Sequence, residues 1–320
     1  MDDCKELISG LPLASIEYAF AYGSGAIQQQ DERKEEKMVD FILCTNDPLS
    51  FHHDNIKINP SHYSLIRIAG AKILAGIQTK LGAHVYYNTN VRVGKRVIKY
   101  GVIGTECLKQ DLLDWRWLYV AGRLHKPVVD VITPTDQIAE NVTQNRRSAL
   151  QAALLLLPDV FPLYDLFQNI TKLSYSGDFR MMIAEDRNKI KKIVDGSYEE
   201  FQKVYEPLLA EDARLVLQNG KVLQDVSGTA IYHRLNLLPS TVLGKIQRDW
   251  NKKHRRQQDC EEVLFSLAHR HDVTTTVEEG IANIVKRPAL TQTAKNAFSA
   301  GLTNSIIYSL AKISKKLKSR

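Results

Sequence analysis

Two stretches of sequence, IEYAFAYGSG at residues 16–25 and MVDFILC at residues 38–44, carry the clearest structural pattern in the chain. Each is a short run of apolar residues, which is typical of a buried strand. The first ends at a glycine–serine–glycine turn, and the second holds one acid, Asp40, among apolar neighbours. Because an apolar environment makes a lone carboxylate costly to bury, we expect Asp40 to be paired or to bind a cation.

Ser24 lies between Gly23 and Gly25, so its hydroxyl and the neighbouring N–H groups can approach a phosphate without obstruction by a Cβ atom. A strand, this turn and a second strand bearing an acid together indicate nucleotidyltransferase chemistry. In that chemistry Mg²⁺ on a carboxylate neutralises a triphosphate and orients its α-phosphorus. Two plainer interpretations stay open: the glycines form a simple turn, and Asp40 caps a loop or pairs with an arginine.

Outward from these strands, the first part of the chain alternates strands and helices. Apolar spacing predicts a helix over 64–81, a strand over 84–88, and a hairpin in which 91–93 pairs with 96–103 around Gly94-Lys95. From about residue 133 the pattern turns mainly helical. It predicts a helix over 136–157, two helices within 159–188, a helix over 198–217 (kinked or broken at Pro207), a strand pair over 225–239 and a helix over 256–269.

These elements predict an α+β protein with three parts: a mixed-sheet domain at 1–132, a helical domain at 133–285 and a basic tail at 286–320. Composition agrees, since 320 residues with 44% hydrophobic content can bury more than one core. The four cysteines form no CxxC pair, which favours a reducing compartment over a disulfide framework. No apolar run approaches the roughly eighteen residues of a spanning helix. The first residues, MDDCKEL, match neither a secretory signal nor a mitochondrial presequence.

The tail carries the basic character of the chain. The formal net charge is +7, and residues 281–320 contain eight Lys and Arg but no Asp or Glu. Within the tail, apolar residues recur every three or four positions and predict an amphipathic helix at Phe298, Leu302, Ile306, Leu310, Ile313 and Leu317. Such a helix either docks on the core or contacts an anionic membrane surface. Nucleic acid is the weakest alternative, because aromatic residues are sparse there.

Several other polar residues are candidates for the same site. Lys99 and Tyr100 end a hairpin strand beside the expected site and are both candidates for nucleotide binding, with Lys99 holding the triphosphate as a point charge. Arg123 and Lys126 lie in a predicted loop and can each bind phosphate. The alternative for each cation is a solvated surface position, and for Asp111 it is a place in the first turn of a helix.

Nine short motifs, taken in their order along the chain, resemble those of the mitochondrial CDP-diacylglycerol synthase family. Its members are also called phosphatidate cytidylyltransferases or translocator assembly and maintenance proteins. The resemblance covers about residues 18–308, and its most specific parts are AGRLHKP at 121–127 and LSYSGDFRM at 173–181. The others are AYGSG (21–25), VDFI (39–42), DP (47–48), SHYS (61–64), VYYN (85–88), IKYGVI (98–103) and DLLDW (111–115).

This resemblance implies a nucleotidyltransferase-type domain, a winged-helix-like second domain, and a C-terminal segment that meets the mitochondrial inner membrane from the matrix. It implies transfer of CMP from CTP to phosphatidic acid with Mg²⁺, giving CDP-diacylglycerol and pyrophosphate for cardiolipin synthesis. Carried over by residue, Gly23, Ser24 and Gly25 match the nucleotide-binding turn and Asp40 the metal-binding acid. The broader nucleotidyltransferase pattern has a second acid two residues after the first, but that position is Ile42 here. Asp111 or Asp47 is therefore expected to complete the metal site, or a single metal suffices.

Two other functions remain open from the sequence. One is nucleotide transfer to another acceptor, such as RNA or protein. The other is a non-catalytic, membrane-associated assembly factor.

Overall fold

The computed structural model describes residues 2–27, 38–179 and 188–300 of the chain. Its first sheet has five strands in the order β3-β4-β2-β1-β5. The strands β2 and β4 run parallel, whereas β1–β2, β1–β5 and β3–β4 are antiparallel, so the sheet is mixed. The strands are β1 (Ile16–Tyr22), β2 (Val39–Thr45), β3 (Val85–Val93), β4 (Arg96–Gly104) and β5 (Val129–Ile132). The predicted mixed sheet and the hairpin of β3 and β4 are confirmed.

Alternate residues of the two central strands face opposite sides of the sheet, as the pleat requires. Tyr18, Phe20 and Ile42 face a large hydrophobic core that they share with later helices. Ala21 and Phe41 face a smaller core on the other side. Because β2 is covered on both faces, it is apolar throughout apart from Asp40 and Thr45.

Helices cover the sheet on both faces. The helices of this part are α1 (Asp2–Ile8), α2 (Pro48–Ile58), α3 (Ala71–Lys80), α4 (Thr105–Asp114) and α5 (Ala121–Leu124). The single helix predicted over 64–81 is wrong in part, since a short 3-10 helix, Leu65–Ala69, precedes α3. Gly70 separates the two with a backbone φ of +84°, a conformation that glycine adopts at little cost.

The second part of the chain is mainly helical, as predicted, with a small antiparallel sheet of order β6-β8-β7. Its helices are α6 (Asp136–Leu154), α7 (Leu163–Leu173), α8 (Lys189–Asp195), α9 (Tyr198–Ala210), α10 (Gly228–Asn236), α11 (Ser240–His254), α12 (Cys260–Ala268) and α13 (Val273–Ala300), and its strands are β6 (Val160–Pro162), β7 (Leu215–Gln218) and β8 (Lys221–Gln224). The strand pair predicted over 225–239 is wrong: Ser227 caps α10 there by accepting a hydrogen bond from the Ala230 N–H.

The last described helix, α13, joins the two parts. The predicted start of the tail at residue 286 lies inside this helix, and residues 301–320 lie outside the described part of the chain. Near its end, the Gln292 side chain donates to the Val85 carbonyl at 3.0 Å and accepts from the Ala83 N–H at 2.9 Å. Lys295 donates to the Leu81 carbonyl at 2.9 Å. Across the described residues, no helix has the length and apolar character required to cross a membrane.

Candidate active site

The glycine–serine–glycine turn lies against the carboxylate of Asp40. The antiparallel register pairs Tyr22, the last residue of β1, with Asp40. The chain then turns at Gly23, whose carbonyl accepts the N–H groups of Ala26 and Ile27 at 3.1 Å each. Gly23 has a φ of +77°, and a Cβ atom there would lie 4.0 Å from Oδ2 of Asp40. The structure therefore brings together the turn and the acid that the sequence singled out.

Gly25 allows this turn to pack on the start of β2. A Cβ atom at this position would lie 2.3 Å from the carbonyl oxygen of Met38 and 3.1 Å from the Cα of Val39. Because those atoms belong to the backbone, no side-chain rotation can relieve the clash. Ser24, between the two glycines, is exposed, so its hydroxyl is accessible to a ligand.

Lys99 is the cation next to Asp40. The parallel register of β2 and β4 places the two residues side by side, and Lys99 Nζ lies 3.3 Å from Asp40 Oδ1. The ammonium also lies 4.6 Å from the centre of the Tyr87 ring. The Asp40 side chain is 26% exposed, yet its Oδ1 is buried and accepts no hydrogen bond from the described residues. That oxygen is paired with the Lys99 ammonium but accepts no hydrogen bond, so a metal ion could share it.

Arg123 approaches the same end of the sheet from α5. Its guanidinium lies 5.1 Å from the centre of the Tyr22 ring and 4.1 Å from that of Tyr119, and it donates to the Tyr119 carbonyl. Its Nε is buried and finds no acceptor among the described residues. Because Tyr22 pairs with Asp40 across β1 and β2, Arg123 belongs to the same site.

Lys126 extends the row of cations beyond Arg123. Its Nζ donates to Ser174 Oγ at 3.0 Å and to the Gly122 carbonyl, and it lies 5.1 Å from the centre of the Tyr175 ring. Lys189 approaches the same ring at 5.2 Å. Burial lowers the pKa of Lys126 well below its usual value, and the charges of Arg123 and Lys189 lower it further. An anion bound there would offset this mutual repulsion.

Two specific sequence motifs meet at this place. Gly122 of AGRLHKP packs so closely on Ser174 of LSYSGDFRM that a Cβ on the glycine would lie 2.3 Å from the Ser174 Cβ. The last two residues of the second motif, Arg180 and Met181, lie outside the described residues. Sequence reasoning missed Lys189 and the ring of Tyr175 as neighbours of Lys126. No local pattern marks Lys189, since it is one of several lysines at the start of α8.

Asp111 does not serve as the second metal ligand that the sequence suggested. Its carboxylate is buried, and its two oxygens accept four backbone N–H groups of the following segment, at 2.8 to 3.0 Å: Trp117, Tyr119, Val120 and Ala121. Burial raises the pKa of this carboxyl, although the four N–H groups act in the opposite direction. A carboxylate has about four lone-pair positions, so these donors use its capacity. Asp111 fixes the loop that leads to Arg123.

Tyr100 is also misplaced in the sequence-based site. Adjacent residues of a strand face opposite sides of a sheet, so Tyr100 faces away from Lys99 and Asp40. Its hydroxyl accepts from Asn55 Nδ2 at 2.8 Å and contacts His62 Nδ1 at 2.9 Å. Burial raises the pKa of this phenol.

Asp47, the other candidate for the missing carboxylate, lies beyond the far end of β2 from Asp40. There it caps α2 by accepting the Ser50 N–H at 3.0 Å, which lowers its pKa. Within the described residues, no group of three or more His, Cys, Asp or Glu side chains could hold a metal ion. Among the sequence-based candidates, Asp40 alone therefore remains as a protein ligand, which fits an ion that is also held by a nucleotide's phosphates.

Comparison with known proteins agrees with the resemblance seen in the sequence. The profile of a family described as "Phosphatidate cytidylyltransferase, mitochondrial" matches residues 4–315. A relative of that name from Caenorhabditis briggsae is 63% identical over 321 residues, with 100% of both chains covered. A Xenopus laevis relative of the same name is 40% identical, covering 98% of this chain and 94% of its own.

A crystal structure described as a nucleotidyltransferase-like protein from Exiguobacterium sibiricum aligns with a TM-score of 0.25 at 8% identity, covering 92% of this chain and 77% of that one. A TM-score this low supports no conclusion about the fold. The sequence relatives do show which family the chain belongs to, because they match over nearly their full length and at well above 30% identity. The chain belongs to the mitochondrial phosphatidate cytidylyltransferase family.

Proposed function

We propose that this protein transfers CMP from CTP to phosphatidic acid, giving CDP-diacylglycerol and pyrophosphate, on a nucleotidyltransferase-type sheet domain. Family membership supports the reaction. The observation that carries the assignment to a site is the Asp40 carboxylate against the Gly23 turn, with Lys99 Nζ 3.3 Å away. An acid, a cation and a glycine turn at one strand end are what a nucleoside triphosphate requires.

The reaction exchanges one phosphorus–oxygen bond for another. A phosphate oxygen of phosphatidate attacks the α-phosphorus of CTP, and the bond from that phosphorus to the bridging oxygen of the β-phosphate breaks, releasing pyrophosphate. The second pKa of a phosphate monoester is about 6, so the nucleophile is already ionised near neutral pH. No strong general base is needed, and catalysis depends on positioning and charge neutralisation.

The residues of the site divide this work. The exposed Ser24 hydroxyl and the Gly23–Gly25 backbone hold the phosphates that leave as pyrophosphate. Asp40 would hold Mg²⁺ through its carboxylate, whose buried Oδ1 accepts no hydrogen bond from the described residues, and the ion would neutralise charge on the triphosphate. Lys99 places a positive charge at the same point. Arg123 and Lys126 bind the phosphate of the nucleotide or of phosphatidate. Burial and the neighbouring charges disfavour the ammonium form of Lys126, and a bound phosphate would restore it.

The lipid substrate implies work at a membrane surface. We expect a peripheral protein on the matrix side of the mitochondrial inner membrane that supplies CDP-diacylglycerol for cardiolipin synthesis. The basic tail at 286–320 would contact anionic lipid, which gains about 1 kcal/mol for each lysine near the surface. The winged-helix-like assignment of residues 133–285 is part of the same expectation.

Substitution of Asp40 tests the proposal. We expect purified wild-type protein, given CTP, phosphatidate and Mg²⁺, to form CDP-diacylglycerol detectable by mass spectrometry. Asp40→Asn should lower turnover by about 100-fold or more, since it removes a preorganised charge at the reacting phosphates. The matched control is Asp47→Asn, because Asp47 is exposed and lies at the other end of β2, and it should keep wild-type turnover.

Three results would count against the proposal. Wild-type turnover by the Asp40→Asn protein would remove Asp40 from the mechanism. Transfer of labelled nucleotide to RNA but not to phosphatidate would indicate another acceptor. No Mg²⁺-dependent binding of CTP by calorimetry would favour a non-catalytic assembly factor.

A further inference from the structure

An exposed apolar surface lies on the 3-10 helix Leu65–Ala69 and the first turn of α3. Leu65 is 78% exposed, Ile68 is 80% exposed and Ile73 is 50% exposed. We name these three residues, with Arg67 and Lys72 between them, the 65–73 surface. Large aliphatic side chains this exposed, in one stretch of nine residues, indicate a contact surface rather than scattered apolar positions.

The local structure separates the apolar residues into an inner and an outer set. In a 3-10 helix, residues three apart lie directly above one another, so Leu65 and Ile68 share one side. Ile66, between them, packs inward against a small core formed by Tyr63, Leu74 and Tyr86. The helix is therefore anchored by one residue and presents two others to the solvent.

The surroundings of this surface are positively charged. Residues 55–105 contain eight Lys and Arg and no Asp or Glu, so the chain has a second basic region, and the expectation that its basic character lies in the tail is wrong. Four cations are exposed on α2, the 3-10 helix and α3 (Lys57, Arg67, Lys72 and Lys80), against one exposed acid, Asp54 of α2. Exposed aliphatic side chains within a cationic rim match the surface of an anionic bilayer.

We propose that the 65–73 surface binds anionic lipid bilayers, with Leu65 and Ile68 inserted among the acyl chains and Arg67 and Lys72 at the headgroups. Charge decides against the other occupants. The tail at 301–320 has five Lys and Arg and no acid, and a second copy would present the same cations, so each would repel this surface. This contact is additional to the tail and does not depend on the proposed reaction.

The position of the surface supports joint action with the tail. The helix α13, which leads into the tail, contacts the C-terminal end of α3 through Lys295 and the Leu81 carbonyl. Leu81 is itself exposed. One helix, α3, therefore connects the 65–73 surface at its first turn with α13 at its C-terminal end, and two membrane signals give stable attachment where one gives reversible attachment.

Vesicle flotation of the full chain tests this inference. Wild-type protein should bind vesicles of phosphatidylcholine and phosphatidylglycerol more tightly than vesicles of phosphatidylcholine alone. Leu65→Ser with Ile68→Ser should weaken partitioning to the anionic vesicles by about tenfold or more, the effect of losing the insertion of one or two aliphatic side chains. The matched control is Val216→Ser with Leu217→Ser, two exposed aliphatic residues on β7, which should bind as wild type.

The outcomes separate the alternatives. Unchanged flotation of the Leu65→Ser, Ile68→Ser protein would overturn the inference, and increased flotation would do so by indicating that the tail covers this surface. A change from dimer to monomer by light scattering would also overturn it and assign the surface to a second copy. Turnover of a water-soluble short-chain phosphatidate should stay at the wild-type level. If the wild-type protein forms no CDP-lipid and the Leu65→Ser, Ile68→Ser protein still loses vesicle binding, the result supports this surface and contradicts only the proposed reaction.

Discussion

Replacing Asp111 with asparagine distinguishes a structural carboxylate from a metal ligand. The substitution keeps the size of the side chain but exchanges one acceptor oxygen for an NH₂ group. Three backbone donors converge on Oδ2 (Tyr119, Val120 and Ala121), and one, Trp117, donates to Oδ1. The asparagine oxygen can replace Oδ2, and its NH₂ group then faces the Trp117 N–H.

The cost follows from this geometry. One charged hydrogen bond is lost, a contribution of about 1.5–3 kcal/mol, and the buried Trp117 N–H is left without an acceptor, at about 1–3 kcal/mol. Relief of the buried negative charge offsets part of this, since burial raises the pKa of Asp111. We therefore expect about 3 kcal/mol of destabilisation. For a chain of this length the unfolding entropy is about 0.7 kcal/mol per kelvin, so the Tm should fall by about 4 °C.

Thermal unfolding and turnover, measured on the same preparations, give the answer. The Asp111→Asn protein should have a lower Tm than the wild type. Its turnover should stay within about threefold of the wild-type value, with the wild-type dependence on Mg²⁺ concentration. Asp114→Asn is the control on the same helix, because Asp114 accepts one hydrogen bond, from Ser240, and should lose little stability. A wild-type Tm combined with a tenfold loss of turnover and a raised Mg²⁺ requirement would refute the structural role.

Three further substitutions follow from the structure. Gly25→Ala should raise the KM for CTP at least tenfold, because its Cβ would lie 2.3 Å from the Met38 carbonyl; Gly76→Ala, where nothing lies within 4 Å, should not. Tyr100→Phe should cost about 1–2 kcal/mol of stability by urea unfolding, since the hydrogen bond from Asn55 is lost, and leave the KM for CTP unchanged. Burial lowers the pKa of Lys295 to about 7. Between pH 7 and about 10 the unfolded chain therefore binds a proton at this lysine that the native protein does not. The free energy of unfolding should then rise with pH by up to about 1.4 kcal/mol per pH unit because of this group. Lys295→Met should remove that gain in urea unfolding at pH 7, 8 and 9; an unchanged slope would contradict the buried lysine.

The sequence is most informative where one short pattern has one physical solution. The apolar runs at 16–22 and 38–44 have to be buried strands, and the order of β1, turn and β2 then brings Gly23 beside Asp40. For the adjacent pair Lys99 and Tyr100, the alternation of side chains along a strand was not applied when the site was predicted. Two neighbours in a strand face opposite sides, so both cannot line one site.

The remaining errors arise from contacts that no local pattern shows. Asp111 is held by N–H groups six to ten residues later in the chain, which depends on how the 117–121 segment folds back. Lys126 meets Ser174 across 48 residues and Tyr175 beyond it. In the 225–239 segment, the local preference for strand gives way to a helix that Ser227 caps and that buries Leu235 in the main core.

The amide of Gln292 has a further consequence for how the protein is made. It exchanges two hydrogen bonds with the backbone of Ala83 and Val85, as one residue of a neighbouring strand would, and β3 is the outer strand of its sheet. Unpaired outer strands recruit other chains and cause aggregation. During synthesis this end of β3 stays uncovered until Gln292 has been made, 207 residues after Val85. A nascent chain that stalls before α13 is complete would therefore leave the backbone at Ala83 and Val85 open to pairing with another chain.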